Sequence, residues 1–108
     1  MKQMRIEPRD GTHLYRAMVK KQDDIRKSGR GTFSRSGAKR RDWARWSHVR
    51  YKGSIKLQEG ESDTVEVEIK SPDRGDEARL TSSFLGWLDR HFGDRLSSVH
   101  IRYGGRRS

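Results

Sequence analysis

The stretch Val49-Arg-Tyr-Lys-Gly-Ser-Ile-Lys-Leu-Gln-Glu-Gly-Glu-Ser-Asp-Thr-Val-Glu-Val-Glu-Ile-Lys70 decides the fold class. Its apolar residues fall on odd positions, Val49, Tyr51, Ile55 and Leu57, while Arg50, Lys52, Ser54, Lys56 and Gln58 take the even ones. A period of two puts the two sets on opposite faces of a strand. Glu59 to Asp63 reads as a polar turn, after which Val65, Val67 and Ile69 alternate with Thr64, Glu66, Glu68 and Lys70. With those five residues as the loop, Leu57 faces Val65, Ile55 faces Val67 and Lys56 meets Glu66. Apolar and charged pairs then agree on one antiparallel register.

Downstream, Ser71-Pro-Asp-Arg-Gly75 ends the hairpin. Leu80, Phe84, Leu85, Leu88 and Phe92 recur at helical spacing, with Asp76 and Glu77 suited to a positive helix start and Gly93 to its stop. This predicts a helix over 76–92. Val99, Ile101 and Tyr103 alternate with Ser98, His100 and Arg102, which predicts a strand over 98–103. The core over 48–103 is therefore α+β, a ββαβ unit with the helix on one sheet face. Upstream, Met4 and Ile6 fit a short strand, and Leu14, Ala17, Met18 and Ile25 fit a weak helix near 12–27. Together they would complete a ferredoxin-like βαββαβ order. Lys27 to Arg41, rich in Gly, Ser and cations, reads as a mobile loop, and residues 104–108 as a basic tail.

Charge and apolar content divide the chain at about the same place. Leu, Ile, Val and Phe number 19 among 108 residues, but only five of them precede residue 48. Residues 1–47 carry a net +9 and residues 48–103 a net −1, within a total of +10. Domain organisation is read accordingly: a basic N-terminal region over 1–47, then the folded core. With no Cys, disulfides and thiolate metal sites are excluded. Met1–Asp10 has no apolar signal core and no stretch reaches the length of a membrane span, so the expectation is a cytoplasmic protein with no membrane partner.

Within residues 26–50 nine cations accompany one acid, Asp42. Such density can follow a phosphate backbone and release condensed counterions. Trp43 and Trp46 follow at once, and aromatic rings among arginines can stack on unpaired bases, although large aromatics beside a small core more commonly pack onto it. The candidate nucleic-acid-binding residues are Arg26, Lys27, Arg30, Arg35, Lys39, Arg40, Arg41, Trp43, Arg45, Trp46, Arg50 and Lys52. Strand parity adds an exposed sheet face of His48, Arg50, Lys52, Lys56, Glu66, Glu68, Lys70, His100 and Arg102. It is a poor base-stacking platform of the RRM kind, because Thr64–Lys70 supplies no aromatic there.

Gly29-Arg-Gly31 is not a dinucleotide fingerprint, and no P-loop is present. His13, His48, His91 and His100 lack metal-motif spacing. No catalytic residue, cofactor or metal is expected, and no enzyme activity. The leading expectation is a nucleic-acid-binding module, RNA or DNA undetermined. The competing one is a protein-interaction or adaptor module, dimeric or bound to another chain through the hairpin edge or through Trp43, Trp46 and Trp87.

Overall fold

A computed structural model describes residues 1–9, 11–37 and 41–104. The elements in chain order are β1 (Lys2–Pro8), α1 (Leu14–Lys27), β2 (Phe33–Arg35), β3 (Trp43–His48), β4 (Ser54–Glu59), β5 (Val65–Lys70), α2 (Arg74–Phe92) and β6 (Leu96–Tyr103). The six strands form one sheet in the order β2-β3-β4-β5-β1-β6, and every neighbouring pair is antiparallel. The class is α+β, as the sequence predicts. The element order, however, carries two strands, β2 and β3, that the six-element expectation lacked.

The hairpin forms in a different register. Ile55 pairs with Ile69, Leu57 with Val67 and Glu59 with Val65, so the loop is Gly60–Thr64 rather than Glu59–Asp63. Gly60 N–H donates to Thr64 O, and the turn passes through Ser62 and Asp63 at positive φ. The slip moves each residue two places along its partner, which keeps every side chain on its expected face. Lys56 consequently lies opposite Glu68, not Glu66.

The strand before the hairpin also begins later than the alternation implied. Val49 is exposed, and residues 49–53 form a connection rather than strand. What precedes it is β3, whose inward residues are Ala44 and Trp46. Part of the stretch read as a loop is β2, held to β3 by the pairs Phe33–His48 and Arg35–Trp46. Lys39 and Arg40 lie outside the described residues, as does the tail beyond Gly104.

One set of strand positions is buried across the sheet: Met4, Ile6, Ala44, Trp46, Ile55, Leu57, Val65, Val67 and Ile69. These share one core with Leu14, Tyr15, Met18 and Val19 of α1 and Leu80, Phe84, Trp87, Leu88 and Phe92 of α2. Both halves of the chain thus contribute to a single core. Ile101 is only half-buried, because β6 is an edge strand. The Asp73 side chain caps α2 by accepting from Asp76 N–H at 2.9 Å, which satisfies one of the donors a helix start leaves open. No helix among the described residues is long and apolar enough to cross a membrane.

Candidate nucleic-acid interface

Pairing fixes which side chains share the face opposite the core. One row runs Trp43, Gln58, Glu66, Arg5, His100 across β3, β4, β5, β1 and β6. The next row runs Arg45, Lys56, Glu68, Gln3, Arg102. The β4 to β6 part of these rows lines a shallow trough of about 760 Å³. Within it Arg5 Nε meets Glu66 at 3.2 Å, and beside it Lys70 Nζ lies 3.6 Å from Glu68. The two acids form a strip along β5, with cations on both sides.

At the β3 end the chemistry changes. The Trp43 ring is half-buried and lies against two cations, with Lys56 Nζ at 5.2 Å and the Arg45 guanidinium at 5.8 Å from its centroid. Flexible cationic stems over an indole are the usual cation–π arrangement. An aromatic does therefore stand on this face, but it comes from β3 rather than from the hairpin strands.

The two neighbouring tryptophans have opposite surroundings. Trp46 is fully buried, with Phe33, Phe84 and Trp87 rings 5.8, 6.2 and 5.1 Å from its own. Its indole N–H finds no acceptor among the described residues. Trp87 is likewise buried in the same aromatic group. Neither ring is available to a base or a partner surface, and the hairpin edge is covered by β3 on one side and β1 on the other.

The remaining candidate cations spread over several surfaces. Arg26 and Lys27 are exposed at the end of α1, and Arg30 follows in the connection to β2. Arg35 projects to the core side, where its Nη1 meets Asp23 at 3.3 Å. Arg41 is exposed just before β3. Arg50 and Lys52 lie in the exposed β3–β4 connection, not on a strand face. Ion pairs within 4 Å are formed, among the described residues, by neither Arg26, Lys27, Arg30 and Arg41 nor Arg50 and Lys52.

His48 also departs from the parity expectation. It sits on the core side, edge-on to Phe33 and 4.4 Å from the Tyr51 ring, facing a hollow of about 650 Å³ lined by Thr32, Arg50, Arg79 and Ser82 among others. His48 and His100 are separated by three strands and lie on opposite faces. Arg50 N–H donates to His48 Nδ1 at 2.9 Å, so the neutral ring carries its proton on Nε2. That Nε2–H donates to Ser83 Oγ at 3.0 Å. The ring thus offers Ser83 a proton rather than a base, the reverse of what an activated serine nucleophile needs. Burial, and then the Arg50 charge, hold the His48 pKa below the ordinary histidine value.

Sequence spacing gave no sign of a further cluster. His13, at the start of α1, and Glu59 and Asp63, at the end of β4 and in the β4–β5 turn, bring their ligand atoms within 4.8 Å of one another. His13 Nδ1 is 3.1 Å from Asp63 Oδ1, and His13 is largely exposed. Nearby, burial together with Asp42 and Glu59 pushes the Tyr15 hydroxyl up to about 12. The surface at this end of the sheet is therefore locally acidic within a basic chain.

Comparison with family models, with curated proteins and with solved structures finds no match for this chain.

Proposed function

We propose that the protein binds nucleic acid through phosphate contacts made by the cations of residues 26–52. The observation that carries this reading is the exposure of Arg26, Lys27, Arg30, Arg41, Arg45, Arg50 and Lys52, none of which forms an ion pair among the described residues. Cations left in water on an otherwise folded surface keep their charge available to a polyanion. Arg35, engaged by Asp23, and the buried Trp46 stand outside the interface in this reading. The fold is read in the same terms. Without β2 and β3, the spatial order β4-β5-β1-β6 fits a ferredoxin-like unit with both helices on one sheet face, the opposite face being the one left to a ligand.

Binding of labelled RNA and duplex DNA at several salt concentrations tests the function. With about six phosphate contacts, the log–log slope on duplex DNA is expected near −5. Replacing Lys39, Arg40 and Arg41 by Ala should flatten it by up to about three units and weaken all sequences alike. Absence of binding to either nucleic acid at low salt refutes the reading.

A second reading, a protein-interaction or adaptor module, is favoured by one feature. β6 is an eight-residue edge strand whose outer backbone groups could pair with another chain or a second copy. A concentration-dependent rise in light-scattering mass, with no nucleic-acid binding, would select it.

A further inference from the structure

The geometry of the open face points to a narrower ligand: we propose that it takes single-stranded nucleic acid, with one unpaired base stacked on Trp43. This rests on the nucleic-acid reading above and specifies the ligand within it.

Three observations carry the inference. First, Trp43 and Trp46 are three residues apart on the same strand, and pleating sends them to opposite faces. Trp46 completes the core, whereas Trp43 lies on the face away from it, aligned with Gln58. Second, among the described residues two cations at the ring occupy the adjacent row, Arg45 on the same strand and Lys56 directly across from it. Both ride on flexible stems. A base stacked on an indole is held more strongly than an exposed cation–π contact, so an arriving base can displace a cation from the ring. The displaced cation then lies one strand repeat from the base, where it can meet the phosphate. Gln58 beside the ring offers an amide donor and an acceptor to a base edge.

Third, the acidic strip bounds the track. Glu66 and Glu68 stand directly across from Gln58 and Lys56. A phosphate backbone crossing the sheet towards β1 would run over both carboxylates. The favourable path follows β3 and β4 instead. A duplex keeps its bases stacked on each other and presents only phosphates and groove edges to such a surface. An unpaired strand offers the π-face that Trp43 needs.

The test is fluorescence anisotropy of the full chain with labelled oligo(dT) and oligo(U) of roughly 16 nucleotides, the upper end of single-strand site sizes, and a duplex of equal length. Trp43→Ala should weaken single-strand binding by roughly 5- to 150-fold. Duplex binding should be unchanged, since phosphate contacts carry it. Trp43→Phe, which keeps a π-face, should retain most of the single-strand affinity, and Trp43→Leu, which keeps only apolar bulk, should not. Near-ultraviolet circular dichroism confirms that each variant keeps the buried aromatic packing. If Trp43→Ala and Trp43→Leu bind both oligonucleotides as tightly as the parent while duplex binding persists, the stacking proposal is overturned and the phosphate reading stands. If the parent chain binds none of the three at low salt, both fall.

Discussion

Gly53→Ala should be among the most damaging single-atom-scale changes in this protein, and its cost can be built from the surroundings. Gly53 joins the β3–β4 connection to β4 with φ +132°, a conformation that side chains rarely adopt. That strain costs about 1–3 kcal/mol for a residue with a Cβ. The added Cβ would also overlap the Lys70 carbonyl oxygen, and it would lie 2.7 Å from Leu80 Cδ1 and 2.9 Å from Ser71 Cβ. Lys70 is held by its pairing with Ser54, so its carbonyl retreats only by disturbing the sheet ladder, at about 1 kcal/mol. Leu80 is fully buried, and forcing it aside is overpacking, at about 1–3 kcal/mol. Together these give roughly 3–7 kcal/mol, a large share of the 5–15 kcal/mol typical of a domain. Gly29→Ala is the control, since Gly29 has φ +80° and nothing within 4 Å of the added atom. It carries the conformational term alone, about 1–2 kcal/mol, partly offset by a stiffer unfolded chain. Urea unfolding followed by circular dichroism measures both. Equal stability losses for the two variants would show that the packing around Gly53 is not as close as described.

Two further outcomes follow from the aromatic core and from His48. Trp46→Ala should cost about 3–5 kcal/mol, and Trp43→Ala under about 1.5 kcal/mol, a difference that chemical denaturation resolves and that equal losses would contradict. His48 should titrate below pH 6.5 by NMR, because burial and Arg50 favour the neutral ring. Since the unfolded chain then binds the proton more readily, this group's contribution to stability is complete above about pH 6.5 and is lost as pH falls through the folded value. His91, lowered by its own burial and by Lys21 and Arg90, acts in the same direction. The His48 share is therefore read as the slope that disappears in His48→Gln, and an unchanged slope would refute the assignment.

How legible these features were in the sequence follows from what each element buries. β5 and α2 bury one face or one stripe and β6 half-buries Val99 and Ile101, so their apolar residues kept the period of two or of 3.6 and placed the elements to within two residues. The pattern over Trp43–His48 was harder to read. Its alternation is Trp43 out, Ala44 in, Arg45 out, Trp46 in, so the largest apolar side chain of one face stands in for a polar one. β2, three residues long, has no measurable period. The hairpin register failed for a different reason: Lys56 finds a glutamate opposite it in either register, so charge pairing could not choose between them. The candidate site was visible only in part. The Trp43–Arg45 spacing is written in the sequence, but the arrival of Lys56 beside the same ring depends on β3 pairing with β4, which local periodicity does not encode.

The position of β1 also shapes how the chain can reach its native state. The first strand lies between β5 and β6, so Met4 finds its neighbours Val67 and Ile101 only after most of the polypeptide exists. Closing loops of that size must precede the contacts that reward them, which slows sheet assembly compared with a local meander. During synthesis, β2 to β5 can pair in sequence as they emerge, while β1 has no β5 edge to join until late and no second neighbour until β6 appears. A nascent chain halted before Leu96 would leave one side of β1 open, with Met4 and Ile6 on a partly finished apolar face. Such intermediates are where strand exchange between chains begins, and the last eight-residue strand is what ends that exposure.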